Sequence, residues 1–440
     1  MAEPPSHAHA VGDRSPSSPR ARRMLAALVV PFLVATGLGV VALWPSDVDE
    51  APVLGAPQEQ FDAEVVAVER GPCTGTPPDA GVRCSRPRAM LLEGPDKGEV
   101  VDLQEQSDVG AALRLERGDT IVLGYFPDAG AGFEYSFADR ERGAPLVALA
   151  AIFVLAVVGL GRWKGLRALL GLGASLVVLT TFVLPAILAG ANPLAVALVG
   201  SAVIATFALY LAHGLNAWTT TALVGTLASL ALVGVLGSVF VDAARFSGLA
   251  DEEASFLQVT AGQIDLRGLL LGGIVIGALG VLDDVTVTQV SAVWELHAAK
   301  PDYGRWDLYR AALRIGRDHI ASTVNTLVLA YAGASLPLFL LFTQADQSLA
   351  DVVNGESVAV EVVRALAGSV GLVASVPLTT ALAVLVAGTA APGRPGEADP
   401  PPASPQPAPE VDPEPVRAIP GDPRRYRSRR EERFWEGADQ

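Results

Sequence analysis

Cysteine is almost missing: the chain has two in 440 residues, Cys73 and Cys84, too few for a disulfide framework or a thiolate metal centre. Lysine is scarce as well, with three (Lys97, Lys164, Lys300) among 32 basic residues. Charged residues make up only 18% and their balance is acidic, with a formal net charge of -15. A nucleic-acid binder needs a basic face, so that class is set aside. The signatures of soluble enzymes are absent: there is no phosphate loop of the GxxxxGK(S/T) type, no HExxH, no GxSxG and no GxGxxG. Adjacent Asp283 and Asp284 fit an intramembrane aspartyl protease poorly, since that chemistry wants two Asp on separate helices. The expectation is a protein that is not an enzyme and has no cofactor, no bound metal and no nucleic-acid partner.

What remains is apolar: 50% of residues are hydrophobic and the mean hydropathy is +0.38. These residues collect in runs of about twenty, the length that crosses a hydrocarbon core of ~30 Å as a helix. Eight spans are expected: Met24–Leu43, Pro145–Gly161, Ala168–Leu188, Pro193–Ala212, Thr219–Val241, Gly268–Val285, Ile320–Phe342 and Ala365–Val386. The fold class is therefore a membrane α-helical bundle of about eight helices in a lipid bilayer. Basic residues alternate between loops. Arg20, Arg22 and Arg23, then Arg162, Lys164 and Arg167, then Lys300 through Arg317, then the arginines of 394–433 fall on one side, while the opposite loops are nearly free of them. By the positive-inside rule both termini are cytoplasmic, with the chain multi-pass in a bacterial cytoplasmic membrane. Trp163, Trp218, Trp294 and Trp306 sit at the expected inner edges, where indoles anchor. The first span lacks a small-x-small cleavage site and reads as an uncleaved anchor.

The chain divides as 1–23, a polar cytoplasmic N-terminus; 24–44, the first span; 45–144, an outer domain; 145–390, a seven-helix domain; and 391–440, a tail rich in Pro and Arg. The two ends read as disordered from composition. Arg424–Arg430 reads as a segment lying near anionic headgroups.

In the outer domain the pattern changes from helical runs to short alternating stretches. Residues 63–69, 89–93, 99–103 and 120–125 read as strands, with turns at Gly94–Gly98 and Arg117–Asp119. A small antiparallel β domain, an OB-like barrel, is expected between helices 1 and 2. It holds 20 acidic against 9 basic residues over 45–143, which gives solubility or draws cations towards a pore mouth. Cys73 and Cys84 lie here in a Gly/Pro-rich loop on the oxidising side, where a disulfide is expected.

Chemistry points to the sixth span. Only fifteen uncharged residues separate Arg267 from Asp283, too few for a full crossing. Gly273, Gly277, Gly280, Asp284, Thr288, Ser291 and Glu295 recur at steps of four and three, which draws a stripe of small and polar residues along one side. The three glycines suit close helix packing. Asp284, Thr288 and Ser291 would line whatever lies beyond, with Asp283 about 100° round the helix. The bland alternative is that the acidic pair caps the span or neutralises arginines of the next loop. On the seventh span Asp318, Ser322 and Asn325 share a face at the same inner depth, and Asn325 would pair with Asp284 or Thr288. His319 reads as an interface anchor. Asn216 belongs to a third polar cluster, His213–Thr221.

These clusters resemble the YibE/F-like family of bacterial multi-pass membrane proteins. The residues responsible are Gly190-Ala191-Asn192-Pro193, Gly214-x-Asn216-x-Trp218-Thr219, Gly277–Asp284 with its Thr/Ser continuation, and Val324–Gly333. The likeness covers roughly 145–390, and Phe133–Asp139 is similar to the family's pre-membrane domain. Family members often carry one Asp followed by Val-Ala-Met-Ser, where this chain has Asp283-Asp284-Val285-Thr286-Val287-Thr288. The resemblance implies a helical membrane domain with an outer β domain and supplies no activity.

The function expected is a secondary transporter or channel-like protein with a cation- or proton-linked intramembrane carboxylate site at Asp283 and Asp284, near Thr288, Ser291, Ser322, Asn325 and Asn216. The alternative is a non-transporting membrane scaffold or envelope sensor whose outer β domain binds a partner.

Overall fold

The computed structural model describes residues 19–45, 57–74, 83–107, 114–130, 132–250, 252–344 and 348–387. Of the segment 1–23, expected to be disordered, residues 19–23 are helical; 1–18, the tail 391–440 and the headgroup contact expected of Arg424–Arg430 fall outside the described residues.

The outer domain is an antiparallel sheet of six strands: β1 (Glu59–Pro72), β2 (Arg83–Leu91), β3 (Val100–Asp102), β4 (Gln106–Ser107), β5 (Thr120–Tyr125) and β6 (Tyr135–Arg140). Its order is β3-β2-β1-β5-β6, with β4 also on β2. Long β1 forms the middle, pairing β2 on one side and β5 on the other, and a register shift between Val65 and Ala67 bends it. Alternation decides the faces. Ala63 and Val65 of β1, Ala89 and Leu91 of β2 and Ile121 and Leu123 of β5 all point into one apolar core. Polar groups here find partners. The Tyr135 hydroxyl donates to Asp96 at 2.6 Å, and burial, then that bond, raises the phenol well above its usual range. Arg86 pairs with Glu105 at 3.1 Å. Cys73 and Cys84 form a disulfide, with Cα atoms 4.9 Å apart, which ties the end of β1 to β2.

The helices are α1 (Pro19–Ala42), α2 (Gly143–Val178), a π-helical turn (Leu179–Val183), α3 (Leu184–Leu188), α4 (Pro193–His213), α5 (Ala217–Ala243), α6 (Glu252–Thr260), α7 (Leu266–Ala299), α8 (Arg305–Ala334), α9 (Leu336–Gln344), α10 (Leu349–Asn354) and α11 (Glu356–Ala387). Among the described residues six stretches are long and apolar enough to cross a membrane, and α8 with α9, bent by 59°, passes the same test when the two are taken together, as a broken span or a re-entrant pair.

Expected spans two and three run together as one helical stretch, Gly143–Leu188. It is broken at Arg162, where φ is 50° and ψ is -130°. A Cβ on Gly165 would collide with the carbonyl of Val157, although residues eight apart in an unbroken helix stand about 12 Å apart along its axis. The chain therefore doubles back at Arg162.

At the centre α5, α7 and α11 pack along one another, flanked by α4 and α8. Close approach depends on small residues: a Cβ on Gly371 would run into Val233, one on Gly225 into Thr379, and one on Gly316 into Val376 and Gln289. Apolar side chains from several helices gather at two places along the bundle. Val40, Leu43, Phe182, Ile187, Ala191, Ile264 and Leu266 form one cluster. Trp218, Val293, Trp294, Leu308 and Ala383 form another, beside Ala21, Leu25 and Val386.

Two spans differ from expectation in ways that matter. α7 does not stop near Val285 but continues to Ala299, 34 residues and about 51 Å in all. Asp265 caps its start by accepting from the backbone N–H of Gly268 at 3.0 Å. The length expected from Arg267 to Asp283 was short because the helix runs on beyond the carboxylates. α8 likewise begins at Arg305, fifteen residues before the apolar run opens at Ile320.

Candidate functional site

α7 presents two unlike sides. Leu282, Val285, Thr286, Gln289 and Val290 are buried against α5, α8 and α11. The Thr286 hydroxyl meets the Thr226 hydroxyl of α5 at 2.7 Å. The Gln289 amide donates to the Ala312 carbonyl of α8 at 2.9 Å and to the Thr380 hydroxyl of α11 at 2.8 Å. These bonds fasten the helices where hydrocarbon offers no other partner.

The other side carries the stripe. Gly273, Gly277, Gly280, Asp284, Thr288 and Glu295 are all exposed within the chain, and Ser291 is half-buried. No helix closes on Gly273 or Gly280, since a Cβ at either would meet open space. Gly277 is covered only by the Tyr331 hydroxyl of α8, 3.1 Å from where its Cβ would stand. The packing expected of these glycines is supplied elsewhere, at Gly225, Gly316 and Gly371, because the stripe faces away from the helical core.

Asp283 and Asp284 stand midway along α7. Trp294, which belongs to the cluster at one end of the bundle, lies ten residues beyond Asp284, about 15 Å along the helix. The helix thus continues for fifteen residues past the acidic pair, through the mixed sequence 285–299. The Asp284 side chain is 71% exposed, and its Oδ2 is 3.9 Å from His319 Nε2 on α8, longer than a hydrogen bond. Neither His319 Nε2 nor Asp283 Oδ1, both shielded from solvent, has a hydrogen-bond partner among the described residues. The Thr288 hydroxyl donates to the Asp284 carbonyl, and the Thr323 hydroxyl to the His319 carbonyl at 2.9 Å.

Of the residues singled out on α8, Ser322 and Asn325 are exposed, and neither side chain makes a hydrogen bond to Asp284 or Thr288. The neighbour of Asp284 is His319, one position from the face expected to meet it. Asn216 serves α5: its carbonyl oxygen accepts from Thr219 N at 2.9 Å while its amide donates to the His213 and Gly214 carbonyls. That is a helix cap. His319 could have been found as the one histidine of the seventh span at the depth of Asp284. Gln289 carried a weaker signal, a lone amide in an apolar run.

A second charged pair lies nearer the other end. Glu361 and Arg364, one turn apart on α11, form an ion pair at 2.6 Å and are both largely covered. They act electrostatically on the Tyr331 hydroxyl. The pair precedes the span expected to open at Ala365. At the head of α11, Glu356 accepts from the backbone N–H groups of Ser247 and Gly248 at 2.7 and 2.9 Å. This fastens the loop after α5.

Open glycines, a carboxylate and an imidazole thus lie along facing sides of α7 and α8. The Cys73, Cys84 and Glu105 group in the outer sheet is the sole convergence of three metal-ligating residues among the described ones, and its sulfurs are joined in the disulfide.

No curated protein and no solved structure matches the chain. A family model described as YibE/F-like protein matches residues 149–389, more than half of the sequence, taking in α4, α5, α7, α8 and α11 with Asp283, Asp284 and His319. The outer sheet lies before the match. The chain belongs to the YibE/F-like family.

Proposed function

We propose that this chain is a transporter or channel-like protein of the cytoplasmic membrane that moves a cation or proton past the Asp283/Asp284 site. The observation that carries the reading is a 71% exposed carboxylate midway along a 34-residue helix that opens with an apolar run. A carboxylate at that depth costs on the order of 2.5–3.5 kcal/mol on insertion scales, so it faces water or protein and not lipid. The glycines in line with it leave room for water along the same side.

The proposal includes eight spans, with the break at Arg162 dividing Gly143–Leu188 into two, and α8 with α9 forming one bent crossing. Both termini are cytoplasmic, following the loop arginines. α1 is retained as an anchor, with Ala21, Leu25 and Val29 buried against the bundle. The outer sheet is read as an open barrel of OB type: its order β3-β2-β1-β5-β6 would close by joining β3 to β6, and the Tyr135 to Asp96 bond spans that gap.

Currents recorded from purified protein in liposomes on a solid-supported membrane test the reading, with jumps of Na⁺, K⁺, divalent cations and pH. Wild type gives transient current with at least one species, and Asp283→Asn/Asp284→Asn of matched thermal stability loses it. Equal currents in both would sink the assignment. Loss of stability with no current in either would favour a scaffold.

A further inference from the structure

We infer that the species bound between α7 and α8 is a proton, carried by the Asp284–His319 pair; this rests on the transport reading above and narrows it.

The donor set decides against a metal ion. Hard cations take six or more oxygen ligands, and softer ones take three or four converging nitrogen, sulfur or carboxylate atoms. Around Asp284 only one carboxylate and one imidazole face each other, at 3.9 Å. Asp283 does not join them: with Asp284 and His319 it makes no group whose ligand atoms fall within 4.8 Å of one another. It lies about 100° further round α7.

The same geometry suits a proton. Histidine Nε2 and a carboxylate oxygen can exchange one when a single water bridges them or a small rotation closes the gap to about 3 Å. In that step the Nε2–H bond of an imidazolium breaks, its electron pair stays on nitrogen, and an Oδ2–H bond forms on Asp284. An ion pair becomes a neutral pair, so no net charge is left at depth. His319 Nε2 has no hydrogen-bond partner among the described residues.

The surrounding charges are few. α7 adds Asp283 and, three turns on, Glu295 and His297. α8 adds Arg314, Arg317, Asp318 and, three turns on, Tyr331. α11 adds Glu361 and Arg364, with Glu356 at its head, α4 only Tyr210 and His213, and α5 has no ionisable side chain between Trp218 and Val241. The Tyr331 hydroxyl stands over Gly277, on the side of α7 that holds Asp284.

The test uses the full-length protein in liposomes holding a pH-sensitive dye. pH steps at constant salt are compared with Na⁺, K⁺ and Mg²⁺ steps at constant pH. pH steps are expected to drive flux and cation steps to drive none. His319→Gln is expected to lower proton flux on the order of a hundredfold, as removal of a positioned acid–base group does, and to flatten the dependence of rate on pH. Asp284→Asn is nearly isosteric at an exposed position and is expected to lower flux similarly without unfolding, so it stands if His319→Gln folds poorly. Flux driven by Na⁺, K⁺ or Mg²⁺ at constant pH would overturn the proton and keep transport. Proton flux with an unchanged rate and profile in both variants would overturn the pair. No flux under any gradient would overturn the transport reading, and this one with it.

Discussion

Thr286 and Asp284 are two residues apart on α7, yet they live in different solvents. Thr286 is fully buried and meets Thr226 at 2.7 Å, and one turn on Gln289 spends its amide on α8 and α11. Asp284 is 71% exposed and has nothing closer than His319 at 3.9 Å. The buried side uses polar atoms as fasteners, each satisfied within the bundle. The open side keeps carboxylate and imidazole unspent next to glycines that no helix covers. In an apolar helix, polarity serves structure where it is paired and buried, and it is available for function where it is unpaired and reachable. The outer sheet is like the buried side in this respect, with Tyr135 on Asp96 and Arg86 on Glu105.

If that division holds, substitutions on the two sides separate stability from transport. Leu282→Ala, at a side chain with no exposure in the main core, should have the largest effect on folding. Thermal unfolding in detergent should show a loss of about 2–5 kcal/mol. Gln289→Leu keeps the volume and removes the bonds to Ala312 and Thr380. It should destabilise by about 1–2 kcal/mol, the range of interhelical hydrogen bonds in membranes. Asp284→Asn should move stability by no more than about 0.5 kcal/mol, as exposed substitutions do, while abolishing current. If Asp284→Asn instead unfolded the protein as readily as Leu282→Ala, the carboxylate would be a fastener like Thr286, and the contrast between the two sides would be lost.

Much of this was legible in the sequence. α4, α5 and α11 lie where their apolar runs fall, because about twenty apolar residues leave a membrane chain little choice but helix. In the sheet, β1, β2 and β5 followed their period-two pattern. What escaped is tertiary. The continuation of α7 past Asp284 carries a mixed sequence, Val285–Ala299, that window hydropathy does not distinguish from loop. The break at Arg162 depends on one residue with positive φ. The glycine stripe was identified, but which way it faced was decided by the packing of α5 and α11 on the opposite side. His319 was passed over in favour of Asp318 because helical phase alone cannot fix how α8 is rotated against α7, and a single position is 100°.

The central claim is that the Asp284 side of α7 meets water. Single cysteines at 282, 284, 286 and 288 test it directly, since both native cysteines are tied in the Cys73–Cys84 disulfide and add no background thiol. Each variant, in sealed vesicles, is exposed to a charged, membrane-impermeant maleimide. Asp284→Cys and Thr288→Cys should label readily and Leu282→Cys and Thr286→Cys should not. If positions 284 and 288 stayed as unreactive as 282, lipid or another helix would cover that side and the account would be wrong.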